Sequence, residues 1–413
     1  MRLALAAALA MAASALAAPA AADTLIDNVD GLTLAADGTV LRFAGLLVDD
    51  NGRIQQLFQR GERRPMRVDY RLDGRGRVLM PGLIDSHVEL MRLALSRIAP
   101  AAPGARPRPE DRDQALIDVQ KLLLERGITT VVDMGTTIED WQAYRRAGDA
   151  GTLALRIIGY AADVDDMVLI AGPRPTPWLY DDRLRLHGLR ISFGAAPPPP
   201  PLPQPARSAR PPVRPPDAVI QLKNLLSRAG IDGFQAAVIV RDPASLPLLL
   251  DAVAELAQTY KGERRWRFEM ATMPGEAELA RMAQSGVVMA LLPAAQNAPG
   301  SSAPALAAAR VRHAFGSGAQ AEPPDLFPGF ATTLRREDAL AAQTSGAAWA
   351  AFAEGRIGRI AIGQRADFIL TDRDPLLASL AELRAIKVLQ TWIGGRMVYR
   401  TKEEAAPRVE AER

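Results

Sequence analysis

The chain has 413 residues, 48% of them hydrophobic and 23% charged, with no cysteine and a formal charge of +3 at pH 7. This length suits one large α/β barrel with a smaller appended module, and the composition is that of an ordinary globular protein. The mild charge, with no dense basic run carrying interleaved aromatics, argues against nucleic acid; the missing cysteines exclude disulfides, thiolate chemistry and a lipoprotein anchor.

Residues 1–22 read as an export leader. Arg2 supplies the positive start, Leu3 to Ala17 form an apolar, alanine-rich core, and Ala20-Ala21-Ala22 make an A-x-A cleavage site before Asp23. No later stretch approaches the roughly 18 apolar residues of a spanning helix. The expectation is therefore a soluble exported protein, bacterial and periplasmic.

Residues 23–80 carry short alternating runs broken by Asp-Gly and Asn-Gly. Thr39–Phe43 and Gly45–Asp49, with a turn at Asp50-Asn51-Gly52, predict small antiparallel strands. The same pattern returns within 351–402, at Asp367–Thr371, Val388–Trp392 and Gly395–Tyr399. One small β-sandwich built from both termini is the expectation.

Between them, residues 81–350 alternate strand and helix signals. Apolar runs at Leu83–Glu89, Thr129–Met134, Leu153–Tyr160, Leu186–Phe193, Phe234–Val240, Arg267–Ala271, Val287–Leu292 and His313–Gly316 predict eight buried parallel strands. Helical periodicity is clearest at Gln114–Glu125, Leu246–Tyr260 and Glu276–Ser285. Eight such units predict an α/β fold of the (β/α)8, TIM-barrel kind. An open doubly wound sheet is the alternative, disfavoured because no glycine-rich phosphate loop opens a helix. Residues 195–216 interrupt the pattern with prolines in series from Pro197 to Pro201, which predicts an extended loop that forms neither helix nor ladder. A spacer beside the barrel mouth is the simpler reading, and a proline-rich ligand for a protein partner the other. The tail, 403–413, is charged and expected to fray.

The stretch richest in chemistry is Pro81-Gly82-Leu83-Ile84-Asp85-Ser86-His87-Val88-Glu89. Residues two apart on a strand share a face, so Asp85, His87 and Glu89 are expected to project together, a donor set plausible for a divalent metal. Only two other histidines exist, His187 and His313. Both fall near the amino ends of their strands and an odd number of residues from the inward position, which predicts core or surface roles.

The chain resembles the amidohydrolase superfamily, within it the exported branch related to N-acyl-amino-acid and N-substituted formamide deacylases. The residues that carry this are Val78-Leu79-Met80-Pro81-Gly82-Leu83-Ile84-Asp85-Ser86-His87, Gly127-Ile128-Thr129-Thr130-Val131-Val132-Asp133-Met134-Gly135, and Arg336-Glu337-Asp338-Ala339-Leu340 through Gly358-Arg359-Ile360-Ala361-Ile362-Gly363-Gln364-Arg365-Ala366-Asp367. The resemblance implies a barrel with a β-sandwich, and a metal site at the carboxyl ends of the strands. It also marks departures from the family pattern. The second histidine of the first strand is Glu89, and Arg190 stands where a carboxylated lysine bridges two metals. Val238 replaces the strand-five histidine, Glu269-Met270 stands for Glu-His, and Ser317-Gly318 for the Ser-Asp that shuttles the proton. An arginine stays protonated and cannot form the carbamate.

What remains is His87 and Glu89 as metal ligands for one zinc or other divalent cation, or none. Glu269 is a further candidate for catalysis, although regular alternation would turn it away from the site; Arg190 is expected to hold Glu89 by a charge-assisted pair in place of the lost metal charge, and is also a candidate for substrate binding. Two function classes stay open. One is a hydrolase of non-peptide C–N bonds in amide-like small molecules, with reduced turnover. The other is a metal-free pseudoenzyme that binds a ligand or protein partner at the barrel mouth.

Overall fold

The computed structural model describes residues 23–98, 106–195, 215–270, 272–292, 302–331 and 335–402. The expected leader, the charged tail and most of the proline-rich stretch lie outside the described residues. The end of that stretch does form helix, since Pro215–Asp232 is helical from its first proline. Proline is compatible with a first turn because its missing N–H has no intrahelical partner there.

Four strands come first: β1 (Thr24–Leu34), β2 (Val40–Val48), β3 (Ile54–Phe58) and β4 (Tyr70–Pro81). The two short strands expected around Phe43 and Leu46 are one continuous strand, β2, antiparallel to both β1 and β3. Eight strands then alternate with helices: β5 (Leu83–Val88), β6 (Ile128–Thr136), β7 (Arg156–Ala161), β8 (Leu184–Phe193), β9 (Gln235–Val240), β10 (Arg267–Met270), β11 (Val288–Leu291) and β12 (Arg312–Phe315). The last strands are β13 (Phe368–Thr371), β14 (Val388–Ile393) and β15 (Arg396–Arg400).

Strands β5 to β12 form one eight-stranded parallel sheet in chain order. Alternation sorts its side chains into two layers. Ile84, Val132, Ile158, Tyr160, Ala237, Val288 and Ala314 fill the interior. Leu83, Val131, Ile157, Leu186, Phe268 and Met289 face outward, packing with Leu116 and Leu123 of helix Pro109–Glu125 and Leu249 and Val253 of helix Ser245–Thr259. The barrel closes just beyond the paired strands, where Gly318 N donates to His87 O at 2.9 Å and Glu89 N to Ala319 O at 3.0 Å. Gly316 makes this approach possible: a Cβ there would lie 2.6 Å from the His87 Cβ and 2.7 Å from its backbone nitrogen.

The remaining strands make a seven-stranded, mostly antiparallel sheet in the order β15-β14-β13-β4-β1-β2-β3, so both ends of the chain contribute to it. This is the composite β-sandwich expected beside the barrel. Ion pairs fasten the two parts. Arg156 of β7 is 1% exposed and grips Asp367, Nε to Oδ2 at 2.5 Å and Nη2 to Oδ1 at 2.8 Å. Asp182 takes Arg365 Nε and Arg356 Nη1, each at 2.7 Å.

Candidate active site

The mouth of the barrel is built around the end of β5. The regular strand is disturbed there: the register against β6 shifts between Asp85 and Val88, and Asp85 Oδ1 accepts from the backbone N–H of His87 at 3.1 Å. Asp85 also receives Ser317, through its N–H at 2.9 Å and its hydroxyl at 2.5 Å. Asp85 is therefore committed to the seam between the first and eighth strands. Burial raises its pKa, against the pull of those hydrogen bonds.

His87 turns inward and meets Glu269, with Nδ1 2.6 Å from Oε2. The expectation that Glu269 faces away from the site is thus incorrect. Its neighbours Phe268 and Met270 pack in the outer layer, which leaves Glu269 and Arg267 to point into the barrel. Arg267 is fully buried; its Nη2 donates to Ser86 O at 2.5 Å and to Glu269 Oε1 at 3.2 Å. Arg267 also lies 5.5 Å from the Tyr160 ring centroid.

These three groups set one another's charge. Burial alone would depress the imidazole, but the Glu269 carboxylate overcomes it and leaves His87 raised. Burial would likewise raise Glu269, but His87, Arg267 and Arg190 together hold it below the usual carboxylate range. The result is an imidazole of raised proton affinity and a guanidinium sharing one buried carboxylate.

Glu89 lies past the end of β5, as the residue preceding helix Leu90–Leu95. Its Oε1 accepts from Gln320 at 2.9 Å and lies 3.6 Å from Arg190 Nη2, while Arg92 reaches Oε2 at 3.1 Å. Asp85, His87 and Glu89 therefore have separate partners instead of one shared focus. Among the described residues no group of three or more His, Cys, Asp or Glu could hold a metal ion. The donors nearest to such a site are His87 and Glu269, both engaged with each other and flanked by Arg267. A divalent cation there would have two protein donors and a guanidinium beside it, which does not fit a zinc centre of about three protein ligands.

A second carboxylate, Asp133 at the end of β6, is 2% exposed and accepts from Leu90 N–H at 2.8 Å, Thr136 Oγ1 at 2.7 Å and Tyr144 Oη at 3.0 Å. Burial, with Asp140 nearby, pushes it up to about 6. A cleft of about 680 Å³ opens beside it, lined by Glu89, Arg92, Arg112, Asp140 and Gln320.

The other histidines lie elsewhere. His187 is buried and faces into the barrel, its ring 6.4 Å from Tyr160 and 5.2 Å from Phe352. The expected outward parity fails because the β7–β8 register shifts between Gly159 and Tyr160, a bulge that turns both His187 and Arg190 inward. Burial, then Arg185, Arg265 and Arg267, pull His187 well below its ordinary value, so it is neutral. His313 is half-buried at the start of β12, with Nδ1 3.3 Å from Val311 O. Sequence reasoning missed Arg267, whose signal was available: an arginine two residues before a glutamate in an otherwise apolar strand shares its face.

Comparison with known proteins adds the following. The sequence model of the Amidohydrolase family matches residues 90–399. An uncharacterized metal-dependent hydrolase from Pyrococcus furiosus is 17% identical, covers 86% of this chain and 100% of its own, and has a TM-score of 0.67. N-isopropylammelide isopropylaminohydrolase from Burkholderia multivorans is 19% identical over 92% of this chain and 98% of its own, with a TM-score of 0.65. An adenosine deaminase from Xanthomonas campestris with bound zinc is 18% identical over 92% and 94%, with a TM-score of 0.63. At such identities the likeness speaks to the fold. No curated protein sequence matches the chain.

Proposed function

The chain belongs to the amidohydrolase family, and from that premise we propose that it is a member whose barrel mouth binds a small amide-like molecule without metal-assisted hydrolysis. One observation carries this reading. The fully buried Arg267 and His87 share Glu269, so the carboxylate best placed for a metal is already the counterion of a fixed internal guanidinium and the partner of the imidazole. Arg190, beside Glu89 at the rim, is the group offered to a ligand, and Gly135 leaves room there: a Cβ at that glycine would lie 3.1 Å from Arg190 Nη1. In this reading 23–80 and 351–402 are the sandwich, 81–350 the barrel, and 1–22 a leader removed on export. No helix among the described residues is long and apolar enough to cross a membrane.

The second reading is a metal-dependent hydrolase of C–N bonds, in the branch acting on N-acyl amino acids or N-substituted formamides. Family membership and the C–N chemistry named for the Burkholderia and Xanthomonas proteins favour it. In that case His87 and Glu89 or Glu269 are the ligands. Elemental mass spectrometry on protein purified without chelator separates the two readings, together with turnover of a panel of N-acyl amino acids. No stoichiometric metal and no metal-stimulated turnover are expected. About one equivalent of zinc, lost in His87→Ala along with amide hydrolysis, overturns the binding-protein reading.

A further inference from the structure

The opposite face of the barrel, at the amino ends of β10 to β12, carries a second concentration of charge. A cavity of about 330 Å³ is lined there by Arg264, Arg265, Trp266, Arg310, Arg312 and Trp349. One carboxylate also lines the cavity, Glu263, which pairs with Arg265 and lies within the field of Arg312. Arg265 takes Glu263 at 2.8 Å and Glu354 at 2.8 Å. Among the described residues no carboxylate pairs with Arg264, Arg310 or Arg312. Arg310 and Arg312 are exposed.

Aromatic faces hold these cations in place. Arg265 and Arg312 each lie 4.0 Å from the Trp349 ring centroid, and Arg264 lies 4.8 Å from that of Trp266. Stacking on a ring orders a guanidinium while leaving its edge donors open. Two donors are also buried without an acceptor among the described residues: Arg264 Nη1 and Trp266 Nε1, the latter on a side chain 2% exposed. A buried donor left without an acceptor is costly, because it has given up its hydrogen bonds to water, so such groups call for a partner.

We propose that this cavity is a binding site for a small oxyanion, the phosphate or carboxylate group of a compact molecule. Trp266 Nε1 and Arg264 donate to the anion from inside, and Arg310 and Arg312 close over it from the rim. The site is separate from the barrel mouth and independent of whether hydrolysis occurs there.

Titration of the full mature protein with inorganic phosphate, and separately with benzoate, tests this by calorimetry and tryptophan fluorescence. At least one probe is expected to bind saturably, more weakly at high salt. Which of the two binds tells whether phosphate or carboxylate is the recognised group. Arg312→Gln and Trp266→Phe should each weaken binding about tenfold or more, near 1.4 kcal/mol, whereas Arg190→Ala at the other face should leave it unchanged. Arg312 is exposed, so Arg312→Gln should keep the fold and its melting temperature, and it carries the test should Trp266→Phe unfold. The proposal fails if neither probe saturates, or if Arg312→Gln and Arg264→Gln bind as tightly as the parent protein.

Discussion

Replacing Glu269 by Gln keeps the shape of the side chain and removes its charge. Arg267 Nη2 at 3.2 Å and His87 Nδ1 at 2.6 Å then lose their shared counterion, in a place where Arg267 is 0% exposed and Glu269 1%. Breaking a buried ion pair from one side costs about 3–5 kcal/mol. Unfolding entropy is about 2.1 cal/mol/K per residue, which for 413 residues is about 0.9 kcal/mol/K. The melting temperature should therefore fall by about 3–6 °C, read by calorimetry at pH 6, where His87 is charged. Removing the charges together, as Arg267→Met with Glu269→Leu, should cost less than Glu269→Gln alone, because no uncompensated guanidinium remains. Chelator should shift the parent protein by less than about 1 °C, since a metal that is not bound adds no stability. A Glu269→Gln protein melting with the parent, or a chelator effect as large as the substitution, would show that Glu269 is not the counterion of Arg267 and His87.

Two further outcomes follow from the same site. The folded protein holds the Asp133 proton up to about pH 6 while the unfolded chain releases it near 3.8, so this group's contribution is full below about pH 4 and falls by about 2–3 kcal/mol as pH rises to about 6; urea midpoints across that range should show the decline, and Asp133→Asn should flatten it. Arg190→Ala should cost at most about 1 kcal/mol, because Glu89 keeps Gln320 and Arg92 and the lost pair is 3.6 Å long and partly exposed; a melting shift beyond about 2 °C would show that Arg190 holds the rim together instead of serving a ligand.

Much of the barrel was legible because a two-sided buried strand writes itself as an apolar run with no ambiguity of face. Each of the eight runs contains or overlaps an observed parallel strand, and the helix Glu276–Ser285 agrees to the residue. The longest sandwich strands, β1 and β4, gave weaker signals. β1 includes Asp27, Asn28 and Asp30, and β4 includes Asp73, Gly74 and Arg75, so both read as turns until a partner strand supplies the hydrogen bonds. At the site, alternation placed His87 inward; on β10 it was counted from the wrong residue, which turned Glu269 outward, and elsewhere it failed at two bulges. One lies beside Asp85, where a side chain captures the backbone N–H, and the other precedes Gly188, where His187 changes face. Parity arguments hold only between such irregularities. A bulge is decided by contacts across the sheet that no local pattern records.

The seven-stranded sheet also sets an order of events for the growing chain. Its central pair, β4 and β13, joins residues such as Leu79 and Leu370, which are separated by the whole barrel. Long-range pairings of this kind form late, since the intervening loop must close before they gain anything. Until then the edge of β4 has open amide and carbonyl groups, and a chain halted within the barrel would present it to its neighbours as a template for strand addition. Completion of the C-terminal strands is thus the step that covers the β4 edge.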